Sequence, residues 1–221
     1  MDDKLESGRT IEALRKKNLE GKKTFIDELR RQKSPKSVAL LLEILCDESW
    51  YLRELAIAGL VEAGDLATGP LRHVLASGLW YTRAAAARAL GRMGCAAASS
   101  EILNLLDESN RTVREAAVDA VQAMSNAGAL ESLCVALAQE SRELRAARLL
   151  PIAAAAPDLA ARLESGADAA AAARFSTSHS LPISVPSDAG GMEGPFSREP
   201  GTPPRVSDSS HEGGGGAAGA P

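Results

Sequence analysis

Histidine and cysteine are the residue types in this chain that could bind a metal ion or supply a nucleophile. There are three of each among the 221 residues. Only His73 lies outside the C-terminal region rich in Ser, Pro and Gly, and a catalytic zinc site needs three protein ligands. Cys46, Cys95 and Cys134 are far apart, and none has a close sequence partner. We therefore predict no catalytic, cofactor-binding or metal-binding residues, and we expect His73 to be a surface or interface residue.

Four aromatic side chains form a second pattern that could carry function. The only two Trp and the only two Tyr residues occur as Trp50-Tyr51 and Trp80-Tyr81, 30 residues apart. Trp and Tyr are enriched among the residues that contribute most to protein binding. We expect each Trp to pack across the junction between two repeats, where its indole N–H finds a partner. Tyr51 and Tyr81 come one position later and point elsewhere, so they are candidates for contact with a partner.

An arginine recurs after each aromatic pair and continues beyond them. Arg53 and Arg83 follow the two pairs, and Arg114 and Arg145 continue the series at a spacing of 31 residues. A row of arginines could line an anion-binding groove. Alternatively, each arginine could pair with an acid or a helix-terminal carbonyl of its own or the neighbouring unit. The second interpretation is favoured because function tends to break the symmetry of a repeat.

The residues around this arginine predict a pair of helices in each unit. Alanine stands three positions after it in three units, and apolar residues stand four and seven positions after it, which places an apolar stripe on a helix. Gly64 and Gly94 are natural ends for these helices, and Ser125 is the weaker equivalent. An apolar helix, such as that at Val38–Leu45, precedes each of them. Because one helix pair cannot bury its own apolar face, the units must stack into a right-handed α-solenoid of four to five pairs.

The fourth unit departs from this pattern. Arg148 replaces the alanine, and Pro151 falls inside the second helix, where proline kinks or ends a helix. Residues 157–174 look like a degenerate closing pair of helices. Terminal repeats are often atypical because they cap the stack.

The repeat resembles that of a known superfamily. The matching motif is Asp-x-x-Trp-x-(Leu/Val)-Arg-x-x-Ala ending in Leu-x-x-x-Gly, which runs here from Asp47 through Arg53 and Ala56 to Gly64. It is similar to the HEAT repeat, and in particular to the short bacterial type named after the phycobilisome lyases. The resemblance covers about residues 34–150 and implies an all-α, armadillo-like helical solenoid.

Two kinds of enzyme with related repeats define a catalytic alternative. Deoxyhypusine hydroxylase binds a di-iron site through His-Glu pairs on its helices, but the only His-Glu here is His211-Glu212, in the tail. Bilin lyases attach chromophores to other proteins, and nothing in the sequence separates that activity from simple binding. A HEAT-like-repeat enzyme or enzyme subunit, either bilin lyase-like or protein-modifying, is therefore kept as an alternative.

The charge pattern disfavours a nucleic-acid-binding function. The formal net charge is −4, whereas domains that bind nucleic acids usually have a pI above about 9. The outward side of the second helices alternates in sign, so that neighbouring helices could pair Arg88 with Glu54 or Glu115. The same banding would suit a protein ligand with a complementary pattern. The candidate partner-binding residues are Tyr51, Glu54, Tyr81, Arg88, Arg92 and Glu115.

Composition divides the chain into three regions. Residues 1–33 form a charged helical segment in which Gly21 separates two helices. Residues 34–175 form the HEAT-like solenoid, and residues 176–221 form a Gly/Pro/Ser-rich tail that we expect to be disordered. The sequence has no signal-peptide pattern and no apolar stretch of about 20 residues, which predicts a cytoplasmic protein that does not insert into membranes.

These observations favour a non-catalytic function. We predict a scaffold or adaptor that binds a protein or peptide partner on the concave face of the solenoid, where the second helices lie. A repeat-based enzyme is the first alternative, and a nucleic-acid binder is a weaker one. The sequence does not determine the partner or the oligomeric state.

Overall fold

The computed structural model describes Leu14 and residues 16–178. Within that part the chain is all-α, with ten α-helices, two short 3₁₀ turns and no β-strand, as the sequence predicts. The helices are α1 (Leu19–Gln32), α2 (Pro35–Ile44), α3 (Trp50–Ala63), α4 (Asp65–Ser77), α5 (Trp80–Arg92), α6 (Ser99–Asn104), α7 (Arg111–Asn126), α8 (Leu130–Leu137), α9 (Arg142–Ala155) and α10 (Pro157–Ser178). Helix α10 extends past the expected boundary at residue 175, and the rest of the predicted tail lies outside the described residues.

Polar residues begin several of the helices. Ser34 starts α2 with a capping box, in which Ser34 Oγ accepts a hydrogen bond from the Ser37 N–H at 3.1 Å and Ser37 Oγ accepts one from the Ser34 N–H at 2.7 Å. Ser49 caps α3, and Asn110 caps α7 by accepting from two backbone N–H groups. These side chains satisfy donors that a helix leaves unpaired at its N-terminus, which sets the residue at which each helix starts.

Glycines with a positive φ angle follow the second helices. Gly64 and Gly94 have φ values of 59° and 61°, as expected for the ends of α3 and α5. In the third unit, α7 continues through Ser125, and Gly128 has a φ value of 89°. The prediction that Ser125 ends this helix is therefore wrong. A glycine three residues later adopts a positive φ angle without the steric cost of a Cβ.

Three regular helix pairs, α2 with α3, α4 with α5 and α6 with α7, stack along the chain, with α3 against α5 and α5 against α7. The alanines three positions after the repeated arginine, Ala56, Ala86 and Ala117, are fully buried. A Cβ added at Gly91 would lie 2.6 Å from Ala120 Cα, so α5 and α7 are almost in backbone contact. The core is thus a continuous line of Leu and Ala side chains, and the predicted stacking of helix pairs is confirmed.

Helix α1 packs on the first pair. Its buried residues Ile26 and Leu29 face α2 and α3. Asn18 begins α1 by accepting a hydrogen bond of 2.9 Å from the Gly21 N–H. Gly21 therefore lies within the first turn of α1, and the prediction that it separates two helices is wrong.

The fourth unit is irregular, as expected, but two details of its helices differ from the prediction. Helix α9 runs through Pro151 without ending there. Residues 157–174 belong to the single helix α10, not to a helix pair, and α10 packs against both α8 and α9. A Cβ added at Gly166 would collide with Cys134 Sγ, so the contact between α8 and α10 depends on a glycine. No helix in the described range combines the length and apolar composition needed to cross a bilayer.

Candidate partner-binding groove

Trp50 and Trp80 are the first residues of α3 and α5, and both are exposed. The exposed fractions of the two residues are 65% and 51%. The prediction that their rings pack across the repeat junctions is therefore wrong. A helical side chain covers the turn that precedes its own Cα, and at the first residue of a helix there is no such turn. Each indole ring therefore has no preceding turn of its own helix to pack against.

The two indole rings line one groove. A pocket of about 80 Å³ lies between α3 and α5, and Trp50, Trp80 and Tyr81 contribute its aromatic walls. An adjoining pocket of about 430 Å³ is bounded by residues of three successive second helices, α3, α5 and α7, so this face is recessed. We call this surface the tryptophan groove and define it by Trp50, Glu54, Trp80, Tyr81, Arg88, Arg92 and Asp119.

The two tyrosines lie in different surroundings. Tyr81 packs edge to face against Trp80, with ring centroids 5.4 Å apart and an interplanar angle of 89°. Tyr51 instead lies beside α1, where Lys23 Nζ is 5.9 Å from its ring centroid. Glu20 and, to a smaller extent, Tyr51 raise the pKa of Lys23. The structure therefore places Tyr81 in the groove and Tyr51 at the junction with the N-terminal helix.

The charged side chains of the groove form ion pairs between neighbouring helices. Arg92 on α5 donates a 2.9 Å hydrogen bond to Glu54 on α3. Arg88 Nε lies 3.6 Å from an oxygen of Asp119 on α7, so its partner is neither of the two that the sequence suggested. Glu115 pairs within its own helix, with Arg111 at 2.7 Å, and it does not line either pocket. The two groove arginines of α5 are thus each paired with a carboxylate of a neighbouring helix, Arg92 with Glu54 on α3 and Arg88 with Asp119 on α7.

The sequence analysis did not assign the two groove tryptophans to a partner. Their spacing from Glu54 and Arg88 nevertheless indicated that they lie on the outward side of their helices. Trp50 stands four positions before Glu54, and Trp80 stands eight positions before Arg88. Residues at these spacings share one face of a helix. The periodicity that placed Glu54 and Arg88 on the outward side therefore also places the two indole rings there. Asp119, which pairs with Arg88, also lies at an outward position, but it was not among the candidate partner-binding residues.

The repeated arginines act mainly within the scaffold. Arg53 donates to the backbone carbonyls of Asp47 and Glu48 at 2.7 and 3.1 Å. Arg114 donates in the same way to the carbonyls of Glu108 and Ser109 at 2.6 and 2.8 Å. Each guanidinium therefore caps the turn between the two helices of its unit.

The other two arginines of the series, Arg83 and Arg145, also bind acidic residues further along the chain. Arg83 donates to the Leu75 carbonyl at 3.0 Å and to the Glu108 carboxylate of the next unit. Arg145 donates to Asp168 on α10 at 2.7 Å. The predicted pairing of this row with turn carbonyls and acids is confirmed.

The residues with metal-binding or nucleophilic side chains are dispersed. His73 is exposed on α4, with the Ser77 hydroxyl 3.5 Å from its Nε2. Burial raises the pKa of the Cys134 thiol, which favours its neutral form. Among the residues that the structure describes, no group of three His, Cys, Asp or Glu side chains comes together as a metal site would require.

Comparison with protein families supports the repeat over part of the chain. No curated protein matches the chain. Among solved structures, a designed armadillo repeat protein is similar at 20% identity over 80% of this chain and 93% of that chain, with a TM-score of 0.29. The HEAT-repeat family model matches residues 68–150, the range that contains Arg83, Arg114 and Arg145. Over that range, the chain is similar to HEAT-repeat proteins.

Proposed function

We propose that this chain is a non-catalytic scaffold or adaptor that binds a protein or peptide partner in the tryptophan groove. The observation that carries the proposal is the exposure of two tryptophans at equivalent positions of neighbouring helices. Exposed aromatic groups that line one recess are typical of protein-binding sites, in which Trp and Tyr contribute much of the affinity. Glu54, Arg88 and Arg92 form a polar border that would exclude water and set the orientation of the partner.

The close packing of the second helices suits such a role, because it fixes the relative positions of the helices that carry the groove residues. Buried alanines and the contact at Gly91 hold the second helices together, and the repeated arginines cap the turns that precede them. A preorganised surface loses little conformational entropy on binding. The groove side chains are thus displayed on rigid helices.

We further propose that the repeats are of the short bacterial phycobilisome-lyase type and that the adaptor acts in the cytoplasm. The motif from Asp47 to Gly64 supports the first proposal. The chain would be organised as a charged N-terminal segment (1–33), a solenoid (34–175) and a tail (176–221). The tail would tether the solenoid to other parts of an assembly.

The test is recovery of partners by affinity purification with the full chain and with groove variants. The variants are Trp50→Ala/Trp80→Ala and Arg88→Glu/Arg92→Glu, and the matched control is His73→Ala, which changes an exposed residue of a first helix. We expect the groove variants to lose partners that the wild type and the control retain. Thermal unfolding of each variant checks that the fold is kept. If every partner is retained by the groove variants, the proposed surface is wrong.

A further inference from the structure

We infer that the tryptophan groove recognises an acidic segment of a partner protein, in which one Asp or Glu side chain enters the pocket between α3 and α5 and a large apolar neighbour covers the indole rings. The inference rests on the proposed function and specifies the chemistry of the partner at the same site. Three observations carry it: the excess of arginine over carboxylate along the groove, the hydrogen-bond donors that line the pocket, and the exposed rings beside them.

The groove holds one more positive charge than negative charges. Arg88 and Arg92 are each matched by a carboxylate of a neighbouring helix, Asp119 and Glu54 respectively. Arg53 also lines the pocket between α3 and α5, and its hydrogen bonds within the described part of the chain go to two backbone carbonyls. A carbonyl accepts a hydrogen bond but carries no charge to compensate the cation. The charge that remains is therefore positive, which favours an acidic group in the partner.

The two acidic residues whose carbonyls bind Arg53 belong to a different part of the surface. Asp47 forms an ion pair with Lys22 at 3.2 Å, and both Asp47 and Glu48 line a separate pocket that Lys22 also borders. Neither acidic residue is among those that line the two pockets of the groove. They therefore do not supply Arg53 with a carboxylate on the groove side.

The polar groups around the pocket between α3 and α5 are mainly hydrogen-bond donors. The residues that line it contribute two guanidinium groups, two indole N–H groups and the hydroxyl groups of Tyr81 and Thr112, against the single carboxylate of Glu54. That carboxylate already accepts a hydrogen bond from Arg92. The separation of 3.6 Å in the ion pair of Arg88 is too long for a hydrogen bond. An ionised carboxylate, which only accepts hydrogen bonds, is complementary to this set of donors.

The adjoining pocket and the exposed rings account for the apolar neighbour. The adjoining pocket, of about 430 Å³, is lined by the two ion pairs together with Trp50 and Ala123. Its charges balance, so the surface that a ligand can cover there with a gain in free energy is the indole ring. Leu79, directly before Trp80, is also exposed. A segment with Leu, Phe or Trp next to its acidic residue therefore places the charge at the arginines and the apolar side chain on the rings.

The same charges disfavour other ligands of exposed tryptophans. A Lys or Arg side chain can stack on an indole ring, but here it would approach three arginines and two carboxylates that are already paired. A phosphorylated residue brings a charge of about −1.5 to −2, which exceeds the single excess charge of the groove. Single-stranded nucleic acid binds in a positive groove that follows its backbone, whereas the charges here alternate in sign from helix to helix. A single carboxylate matches the groove best.

Selection from a library of random 12-residue peptides displayed on phage, with the full chain as bait, tests the inference. We expect enrichment of Asp or Glu next to Leu, Phe, Tyr or Trp. Enrichment of Lys or Arg would overturn the inference, and so would apolar sequences without an acidic residue. Failure to enrich any sequence would also overturn it.

Calorimetric titration with one selected peptide then tests the role of the carboxylate. The peptide is synthesised with both termini blocked, so that its side chains are the only source of carboxylates. Replacing its acidic residue by the corresponding amide should weaken binding at least tenfold, and added NaCl should weaken the acidic peptide more than the amide form. Equal affinity of the two peptides would overturn the inference. Tighter binding of a phosphoserine peptide or of a 12-nucleotide oligo-dT would also overturn it.

Substitutions of the two groove residues that form the looser ion pair give effects of opposite sign. Asp119→Asn removes the carboxylate that competes for Arg88, so it should tighten binding of the acidic peptide at least twofold, whereas Arg88→Gln should weaken it at least fivefold. Glu115→Gln is the matched control, because it makes the same charge change on α7 at a similarly exposed side chain outside both pockets. If Asp119→Asn weakens binding, or acts no differently from Glu115→Gln, the inferred chemistry is wrong. Both pairs lie at partly exposed side chains, and a thermal melt of each variant checks that the fold is kept.

The two proposals fail in different ways. If the double tryptophan variant loses protein partners but the selected peptides are basic or uncharged, only the acidic-segment inference is overturned. If that variant retains every protein partner, the groove is not the binding surface and both proposals are overturned.

Discussion

Arg148 Nε on α9 donates a 2.8 Å hydrogen bond to Asp107, which lies in the turn before α7. The same guanidinium donates to Asn104 at 2.8 Å and to the Glu140 carboxylate. Only 7% of Arg148 is exposed, although the equivalent residue in each of the three preceding units is alanine. A charged side chain thus replaces a small one at the position where the last unit meets the third.

We predict that Arg148→Ala destabilises the protein strongly, even though alanine is the residue of the other repeats. Removing one partner of a buried ion pair leaves the other charge without compensation, at a cost of about 3 kcal/mol. One oxygen of Glu140 is already buried without a hydrogen-bond partner, and burial raises the pKa of Glu140 against the opposing effect of Arg148. The free energy of unfolding in urea measures the loss.

The double variant Arg148→Ala/Glu140→Gln is the control for this explanation. Because Glu140 no longer carries a charge, we expect the double variant to recover at least about 1 kcal/mol relative to Arg148→Ala. Equal stability of the single and double variants would mean that the loss comes from packing and not from a buried charge.

We predict that Gly91→Ala destabilises the stack by about 2 kcal/mol, because its Cβ would collide with the backbone of Ala120 and force α5 away from α7. Gly69→Ala is the matched control, since Gly69 is exposed in α4 and an added Cβ there meets nothing within 4 Å. That substitution should change stability by less than about 1 kcal/mol, because the gain in helix propensity is offset by the restriction that Pro70 places on the residue before it. Thermal melts of both variants, followed by circular dichroism, distinguish the two sites.

We predict that the repeated arginine stabilises its own unit. Arg114→Ala removes hydrogen bonds to two turn carbonyls and should cost about 1–3 kcal/mol. Arg111→Ala removes only an ion pair within α7, at a side chain that is 83% exposed, and should cost much less, because solvent screens an exposed ion pair. Urea unfolding of the two variants gives the comparison, and equal losses would contradict a capping role for Arg114.

The contact between α1 and α3 should depend on pH. Hydrogen bonding to Arg30 holds the pKa of Glu62 below its ordinary value of 4.5, and Arg30 Nε donates to Glu62 at 3.1 Å. A carboxylate with a lowered pKa in the folded state stabilises that state above its unfolded pKa, and the contribution is lost as the pH falls through the folded pKa. Because Glu62 is partly exposed, we expect Glu62→Gln to cost about 0.5–1 kcal/mol near neutral pH. The difference from the wild type should vanish well below 4.5, and a cost that is the same at both pH values would contradict the assignment.

The repeat could be predicted because each of its signals is local. Arg53, with an alanine three residues later and Gly64 beyond it, specifies the face, the close approach and the end of one helix. A helix that buries only one face needs neighbours, so the recurrence of the same signals implies a stack. The pairing of Arg53 with turn carbonyls follows from the same spacing, because its partners lie within six residues of it.

The exposure of Trp50 and Trp80, and the partners of Arg88 and Arg148, are decided by tertiary structure. An indole at the first turn of a helix can pack on the neighbouring unit or project from the stack, and the relative positions of α3 and α5 determine which occurs. Arg88 meets Asp119 because α5 lies directly against α7, a distance relation that the chain order does not contain. Pro151 likewise breaks a local rule, yet α9 continues through it. The sequence thus determined the helices and the faces that they bury, whereas packing between the units decided which outward residues meet one another and which remain available to a partner.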